Sequence, residues 1–567
     1  MIKLPKDLRG GTFNRALQVT ANGFDVDAVL PAVFFRVVSE GQERGRHPND
    51  PTQIQSFVDR LAQHRDVQGF ESLEGGRLLN RLVRTSLVEI GRQGIRRNVE
   101  QISGIAGHTF LSFKSGIPDD GSRLRSVDRV VYQMMREQVG SDTRLRALFE
   151  EVFGQGLSIQ GGRIPDGSYD GATPLDTLTR LSIAFLDGFQ PTPARPAVSK
   201  ERHEACPTLA IAMASDLRAY MLGYHRSMPT EALAYHFRAL INFELFTYTM
   251  KLFYAIPELI AQPDRLPAAM SAGVASSPPE VYIDFTGTSR GLSSDMAAYG
   301  VRRDVEAISR YLVGVLTLRH LDRYVQRFRN DRRVGQIVND ALAQDDGGPG
   351  YLQALLRLRG HSAIATKLDA AAEYDEQLIR DENTPADHEG KADPPEWKMI
   401  DEIASPGESS LERLVLLLAE GQRSKGTQNT VKWYWSIGGL TKPHGIMSGL
   451  LRHRQSWRYA PSNDLLATWV QLAAVAQGDG NDGRPDIPES VSLRGFLDWL
   501  ERRFGILVDR PLAEFRGAEY VAAAQENLQA MLRRLRQMGI FRDLSDDVTT
   551  LRLYPPYSRT NEETVTR

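Results

Sequence analysis

Apolar residues in this chain recur three and four positions apart over long stretches, and that spacing restricts it to a fold built mainly from α-helices. Ile54, Phe57, Val58 and Leu61 share one helical face, as do Leu78, Leu79, Leu82, Leu87 and Ile90. Val305, Ile308, Leu312 and Val315 repeat the pattern, and so do Leu411, Leu414, Val415 and Leu418. Two-residue alternation is scarce. The best strand candidates are Val281-Tyr-Ile-Asp-Phe and Leu551-Arg-Leu-Tyr. No repeat of about 20 to 50 residues is visible, which argues against a solenoid.

A chain of 567 residues exceeds what one hydrophobic core usually serves, so several domains are expected. Punctuation supplies the boundaries. Gly154 to Pro174 is rich in Gly, Asp and Pro and reads as a long loop. Phe189 to Ser199 holds Pro191, Pro193 and Pro196, and Gln262 to Pro279 is rich in Ala, Ser and Pro. Asn383 to Pro395 combines charge and proline with no apolar residue larger than Ala, the composition of a linker. These features divide the chain into an N-terminal helical domain over 1–195, a middle helical domain over 196–395 ending in a polar linker, and a C-terminal domain over 396–567.

The bulk chemistry excludes several classes. Hydrophobic residues at 41% and charged residues at 25% are those of an ordered globular protein. A net charge of −2 means that any nucleic-acid role must come from a local patch. Arginine outnumbers lysine 58 to 11, a skew that a GC-rich coding sequence also produces. Cys206 is the single cysteine, so no intrachain disulfide forms and nothing points to an oxidising compartment. The first residues lack the apolar stretch of a secretory signal. The most apolar window, Phe237 to Ile260, contains Arg238, Glu244, Lys251 and Glu258 and reads as a buried helix rather than a membrane span. A cytoplasmic location is expected.

The C-terminal end reads as winged-helix-like. Asn527 to Met538 is a predicted helix with Leu528, Met531, Leu532 and Leu535 inward, and Gly539 stops it. Two predicted strands follow around a turn at Ser545-Asp-Asp. Arg533, Arg534 and Arg536 lie on the polar side of that helix, where a winged helix presents cations to phosphates or base edges. The same arginines also suit a plain solvated face, and winged helices serve as protein-contact modules too.

The stretch from Arg423 to Tyr459 is the densest basic-aromatic segment and contains no Asp or Glu. Its cations include Arg423, Lys425, Lys432, Arg452, Arg454 and Arg458, interleaved with Trp433, Tyr434, Trp435 and Trp457. Cations neutralise phosphate and aromatic faces stack bases, so this composition suits a nucleic-acid surface. The competing reading is that the tryptophans are core anchors with charges around them. A second basic region, Arg81, Arg84, Arg92, Arg96, Arg97, Lys114, Arg123, Arg125 and Arg129, reads as a solvated face paired with Glu89 and Glu100.

Other signatures are weak or missing. His203, Cys206, His225 and His236 have zinc-like spacing, but Cys206 opens an apolar helix and suits a buried thiol better. Ile283-Asp-Phe-Thr-Gly-Thr-Ser-Arg290 is a strand entering a turn whose N–H groups could hold an anion, or a short strand before a helix capped by Ser293 or Ser294. It is not a P-loop. The Asp/Gly-rich segment after Gly478 lacks the ligand pattern of an EF-hand and reads as a loop. No His-Glu-x-x-His, Gly-x-Ser-x-Gly or cysteine pair occurs. No cofactor, metal or catalytic residue is assigned.

Phe24-Asp-Val-Asp-Ala-Val-Leu-Pro, His108-Thr-Phe-Leu-Ser-Phe-Lys-Ser-Gly-Ile-Pro and Ile283-Asp-Phe-Thr-Gly-Thr together resemble a helical accessory protein encoded in bacterial methylation-associated phage-defence gene clusters. The resemblance implies antiviral defence in the cytoplasm beside a methyltransferase and other subunits, and it transfers no catalytic residue. The expectation is a mainly α, multidomain protein with a winged-helix-like end, acting as a non-enzymatic subunit that binds DNA and partner proteins. The alternatives are an enzyme, a nuclease or nucleotide-processing protein, with a dispersed site, or a structural scaffold without nucleic-acid contact.

Overall fold

The computed structural model describes the chain apart from residues 1, 45–54, 56–57, 60, 65–66, 91–99, 103–107, 114–123, 159–168, 187–193, 197–203, 272–278, 344–347, 386–393, 441, 479–483, 543–550 and 559–567. The fold is mainly α, with a few two-residue and three-residue strands.

The main elements, in order, are α1 (Val29–Val38), α2 (Val127–Val139), α3 (Asp142–Phe153), α4 (Pro207–Tyr224), α5 (Thr230–Ala261), β1 (Val281–Tyr282) and α6 (Leu292–Phe328). There follow α7 (Ser362–Glu382), α8 (Ser410–Gln422), α9 (Gly426–Ile437), the pair β2 (Met447–Ser448) and β3 (Arg458–Tyr459), and α10 (Asn463–Gln477). The chain closes with β4 (Val491–Ser492), α11 (Leu493–Phe504), β5 (Ile506–Leu507), α12 (Ala518–Gln537) and β6 (Arg552–Leu553).

Two long helices organise the rest. α5 spans 32 residues and is apolar around nearly its whole circumference, so it is buried on all sides. α6 spans 37 residues and packs along it. α4, α9 and α10 cover α5, while α8, α12 and the β2–β3 hairpin lie on α6. α1 packs on α2, and α2 on α4. One hydrophobic core therefore takes side chains from the N-terminal, middle and C-terminal stretches alike.

A buried charge inside α5 meets a partner. Glu244 lies 3.4 Å from Arg503 of α11, which also grips Asp216 of α4 at 2.6 Å. Burial holds the Glu244 carboxyl well above its usual range, and Arg503 only partly offsets this. No helix among the described residues is long and apolar enough to cross a membrane.

Local chemistry sets several ends. Ser409 and Glu412 form a reciprocal capping box at α8. Ser462 and Ser492 cap α10 and α11 with their hydroxyls. Gly505 ends α11 in a left-handed conformation that glycine adopts without steric cost.

The C-terminal elements do not stand apart. β5 pairs in parallel with β1 of the middle stretch, Val281 opposite Ile506 and Tyr282 opposite Leu507. β4 pairs antiparallel with β6, and Phe541 bridges Leu553. The turn expected at Ser545-Asp-Asp lies outside the described residues. α12 begins at Ala518, earlier than the predicted Asn527, and buries Leu528, Met531, Leu532 and Leu535 as the spacing required.

The helix over Leu73–Leu87 departs from its predicted face. Leu79 is buried, but Leu78 and Leu82 are exposed, and Val88–Ile90 leaves the helix to pair as a strand with Glu100–Ile102. A three-to-four spacing identifies an amphipathic helix but not whether a neighbour covers its apolar stripe.

Candidate nucleic-acid interface

The basic-aromatic segment folds with its rings inward and most of its cations outward. Trp433 on α9 is fully buried, donates to the hydroxyl of Thr249 at 3.3 Å and meets the ring of Phe24 at 5.3 Å. Tyr434 and Tyr459 share a 2.7 Å hydrogen bond, and Tyr459 donates onward to the buried carboxylate of Asp304 at 2.6 Å. Trp457 is buried beneath the hairpin loop. These rings are core anchors, so they offer no stacking platform for bases. Large aromatics gain more from burial than from exposure, and here α5 and α6 supply the partner surfaces.

The cations fall into three settings. Arg423, Lys425 and Lys432 are exposed on α9 and the turn before it, with Arg423 3.5 Å from Glu420. The start of α9 adjoins the N-terminal segment, since Gln422 donates to the carbonyl of Gly10. Its other end adjoins β2, where Met447 donates to the Gly438 carbonyl. A helix of 12 residues separates these ends by about 18 Å. Arg452 and Arg454 are exposed on the loop joining β2 to β3. Arg458, on β3, is mostly buried and turns toward Asp284, 3.7 Å from its carboxylate.

The arginines of α12 approach that hairpin. Arg534 donates to the Pro461 carbonyl at 3.2 Å and sits 5.6 Å from the centre of the Phe285 ring. Burial pulls its pKa down, Asp284 raises it and Arg458 lowers it further, which puts all three groups in one electrostatic neighbourhood. Arg533 and Arg536 are exposed beside it, with Arg536 over the ring of Phe541 at 5.2 Å. Asn527, also on α12, fixes this arrangement. It accepts from the Phe285 backbone at 2.6 Å and donates to the Ile283 and Val508 carbonyls. Arg458 of the hairpin and Arg534 of α12 thus meet beside Asp284, while the 423–425 set lies at the far end of α9.

The turn after β1 is closed on itself. Thr286 and Ser293 both donate their hydroxyls to Asp284, at 2.7 and 2.8 Å, and the Thr286 backbone N–H points to the same oxygen at 3.1 Å. Neither Ser293 nor Ser294 caps α6, whose N-cap is Gly291 with no side-chain cap. A carboxylate already fills the position an anion would take. Arg81 is exposed in the second basic region, whereas Arg125 and Arg129 bond backbone carbonyls at Gly23 and Gln18. Arg92, Arg96, Arg97, Lys114 and Arg123 lie outside the described residues.

A second polar cluster was not legible in the sequence. Lys442 bridges Asp25 and Asp27 at 2.9 and 2.5 Å, and Arg238 of α5 approaches Asp27 at 3.9 Å. His444 lies behind them, 3% exposed, with neither ring nitrogen hydrogen-bonded, and its ring meets Tyr235 edge-on. Tyr235 in turn donates to Asp464 at 2.6 Å. His108 is similarly buried with Nε2 unpaired, and it senses Asp176 and Arg238. Burial pushes both histidines down to about 4. The signal that could have found this cluster is that Asp25, Asp27 and His108 all fall in segments that carry the family resemblance.

Among the described residues no group of three or more His, Cys, Asp or Glu could hold a metal ion. Cys206 is buried at the head of α4, where burial pushes its thiol up to about 12. His225 donates from Nδ1 to the Leu222 carbonyl, His236 shares a hydrogen bond with the Thr468 hydroxyl, and His203 lies outside the described residues.

A family model described as methylation-associated defense system protein MAD7 matches residues 6–557 of the chain. No curated protein and no solved structure matches it.

Proposed function

This chain belongs to the family of the methylation-associated defense system protein MAD7, and on that premise we propose that it is a cytoplasmic, non-enzymatic subunit that contacts DNA and partner proteins in an antiphage defence complex. The observation that supports DNA contact is the convergence of two basic sets distant in sequence. Arg452 and Arg454 on the hairpin and Arg533 and Arg536 on α12 are exposed on neighbouring elements, joined through Arg534 and Pro461. No Asp or Glu occurs from Gly421 to Asn463, and α12 has none after Glu526. Such a surface attracts phosphates and holds them through arginine forks without reading sequence.

Arg458 and Arg534 have a different role in this reading. They brace the hairpin and α12 against Asp284 and so position the exposed arginines. Arg423, Lys425 and Lys432 belong to a separate basic strip along α9, available to a longer duplex or to an acidic partner. The winged-helix-like reading of the C-terminal end fits α11, α12 and the returning β6, although β5 is committed to β1 rather than to a wing.

The test is binding of a short duplex followed by anisotropy against salt. The wild type should bind with a steep salt dependence, and Arg452→Ala with Arg454→Ala should reduce both affinity and slope. Failure of the wild type to bind duplex DNA would favour the scaffold. The alternative of an enzyme draws on the cluster of Arg238, His444, His108 and Asp27, because unpaired buried imidazoles beside carboxylates suit proton transfer. Substrate turnover lost on His444→Ala with DNA affinity unchanged would favour that alternative.

A further inference from the structure

The tip of the β2–β3 hairpin presents two adjacent leucines to solvent, Leu450 at 64% and Leu451 at 42% exposure. Arg452, His453, Arg454 and Gln455 follow, all exposed. Large apolar residues at a loop tip call for a reason outside the fold, since turns favour Gly, Asn, Asp and Ser and exposed apolar patches mark contact sites. The backbone around them is rigidly held. Leu450 donates to the Ser456 hydroxyl at 2.8 Å, and its carbonyl accepts from His453 N–H and from the indole of buried Trp457, both at 2.9 Å. Gly449 at φ +140° permits the closure, because a Cβ there would lie 2.7 Å from the Ser456 carbonyl. With the Leu450 backbone pinned in this way, both leucine side chains stand exposed at the tip.

From this tip we propose that Leu450 and Leu451 form an apolar wedge that inserts between base steps of double-stranded DNA, with Arg452 and Arg454 seated on the flanking phosphates. The inference rests on the DNA-contact reading given above and adds a mode of engagement. Charge complementarity favours a polyanion over an apolar protein groove, since the tip is flanked by arginines and acid-free for the whole length of its segment. Apolar side chains inserted at a step unstack it partially and bend the duplex, and flexible pyrimidine–purine steps yield most easily. The wedge needs no base-specific hydrogen bond.

The experiment uses the full-length chain and duplexes containing 2-aminopurine at a central step, with donor and acceptor dyes at the ends. Wild type should raise 2-aminopurine fluorescence and shorten the end-to-end distance. Leu450→Ser with Leu451→Ser should abolish both signals, weaken binding about tenfold and leave the salt slope unchanged. Arg452→Ala with Arg454→Ala should instead lower the slope. Thermal midpoints should match wild type in both variants, because the altered side chains are exposed. Binding by wild type without unstacking or bending, equal signals from the serine variant, or equal affinity for single strands would overturn the wedge and leave DNA contact standing. No binding of any duplex would overturn both and assign the leucines to a protein partner.

Discussion

Arg534 donates to the carbonyl of Pro461 at 3.2 Å, joining the last helix to the residues just after the basic hairpin, 73 positions upstream. Through this bond and the shared approach to Asp284, side chains that look alike in sequence acquire different duties. Arg458 and Arg534 are braces, whereas Arg452, Arg454, Arg533 and Arg536 are presented to solvent.

Arg458→Ala should therefore destabilise the protein, while its neighbours should not. Removing it strands an oxygen of fully buried Asp284 that has no hydrogen-bond partner, at a cost of about 1–3 kcal/mol. Arg452→Ala and Arg454→Ala should stay within about 0.5 kcal/mol of wild type. Chemical denaturation of the three single variants checks this. Equal stabilities would show that Asp284 does not depend on Arg458.

Charge reversal on α12 separates DNA contact from assembly. Arg533→Glu with Arg536→Glu should abolish duplex binding and leave co-purifying partners in place. Retained DNA binding with lost partners would assign this face to protein contact instead.

The buried histidines predict a specific pH dependence. His108, His236 and His444 are held neutral by burial, each down to about 4 against an ordinary 6.5. The unfolded chain binds protons that the folded chain refuses, so stability should be full above about 6.5 and decline as pH falls toward 4. Each such histidine contributes a slope approaching about 1.4 kcal/mol per pH unit within that window. His444→Gln should flatten the decline measured by thermal melts. An unchanged profile in that variant would mean that its ring is protonated or solvated in the folded state.

Proteolysis tests how the three stretches relate. The composition from Asn383 to Pro395 predicts the first cut there. The nicked chain should still elute as one particle. Lys442 pairs with Asp25 and Asp27, β1 pairs with β5, and Phe24 packs on Trp433, all across that cut. Separation of the fragments without denaturant, or earlier cleavage within 207–261, would contradict this.

Much of the helical framework was legible because apolar periodicity is local. Leu528, Leu532 and Leu535 turn inward as their spacing requires, and the segment from Phe237 to Ile260 is a buried helix as read from its four charges. Depth was not legible. Trp433 and Lys432 are adjacent, yet one is core and the other surface, and a composition count treats them together. Leu78 and Leu82 look like core residues and lie exposed, with no element among the described residues covering that stripe. The pairing of Arg458 with Asp284, and the meeting of His108 with Arg238 beside His444, depend on contacts between distant segments that no spacing rule reports.

The most direct test of the account is the salt dependence of duplex binding by the full-length chain, compared with a variant carrying Arg452→Ala, Arg454→Ala, Arg533→Ala and Arg536→Ala. If the hairpin and α12 form one phosphate-binding surface, log affinity should fall linearly with log salt in the wild type, and the variant should lose a slope of about 3 to 4. A wild type that binds no duplex, or a variant with the same slope and affinity, would contradict the central claim.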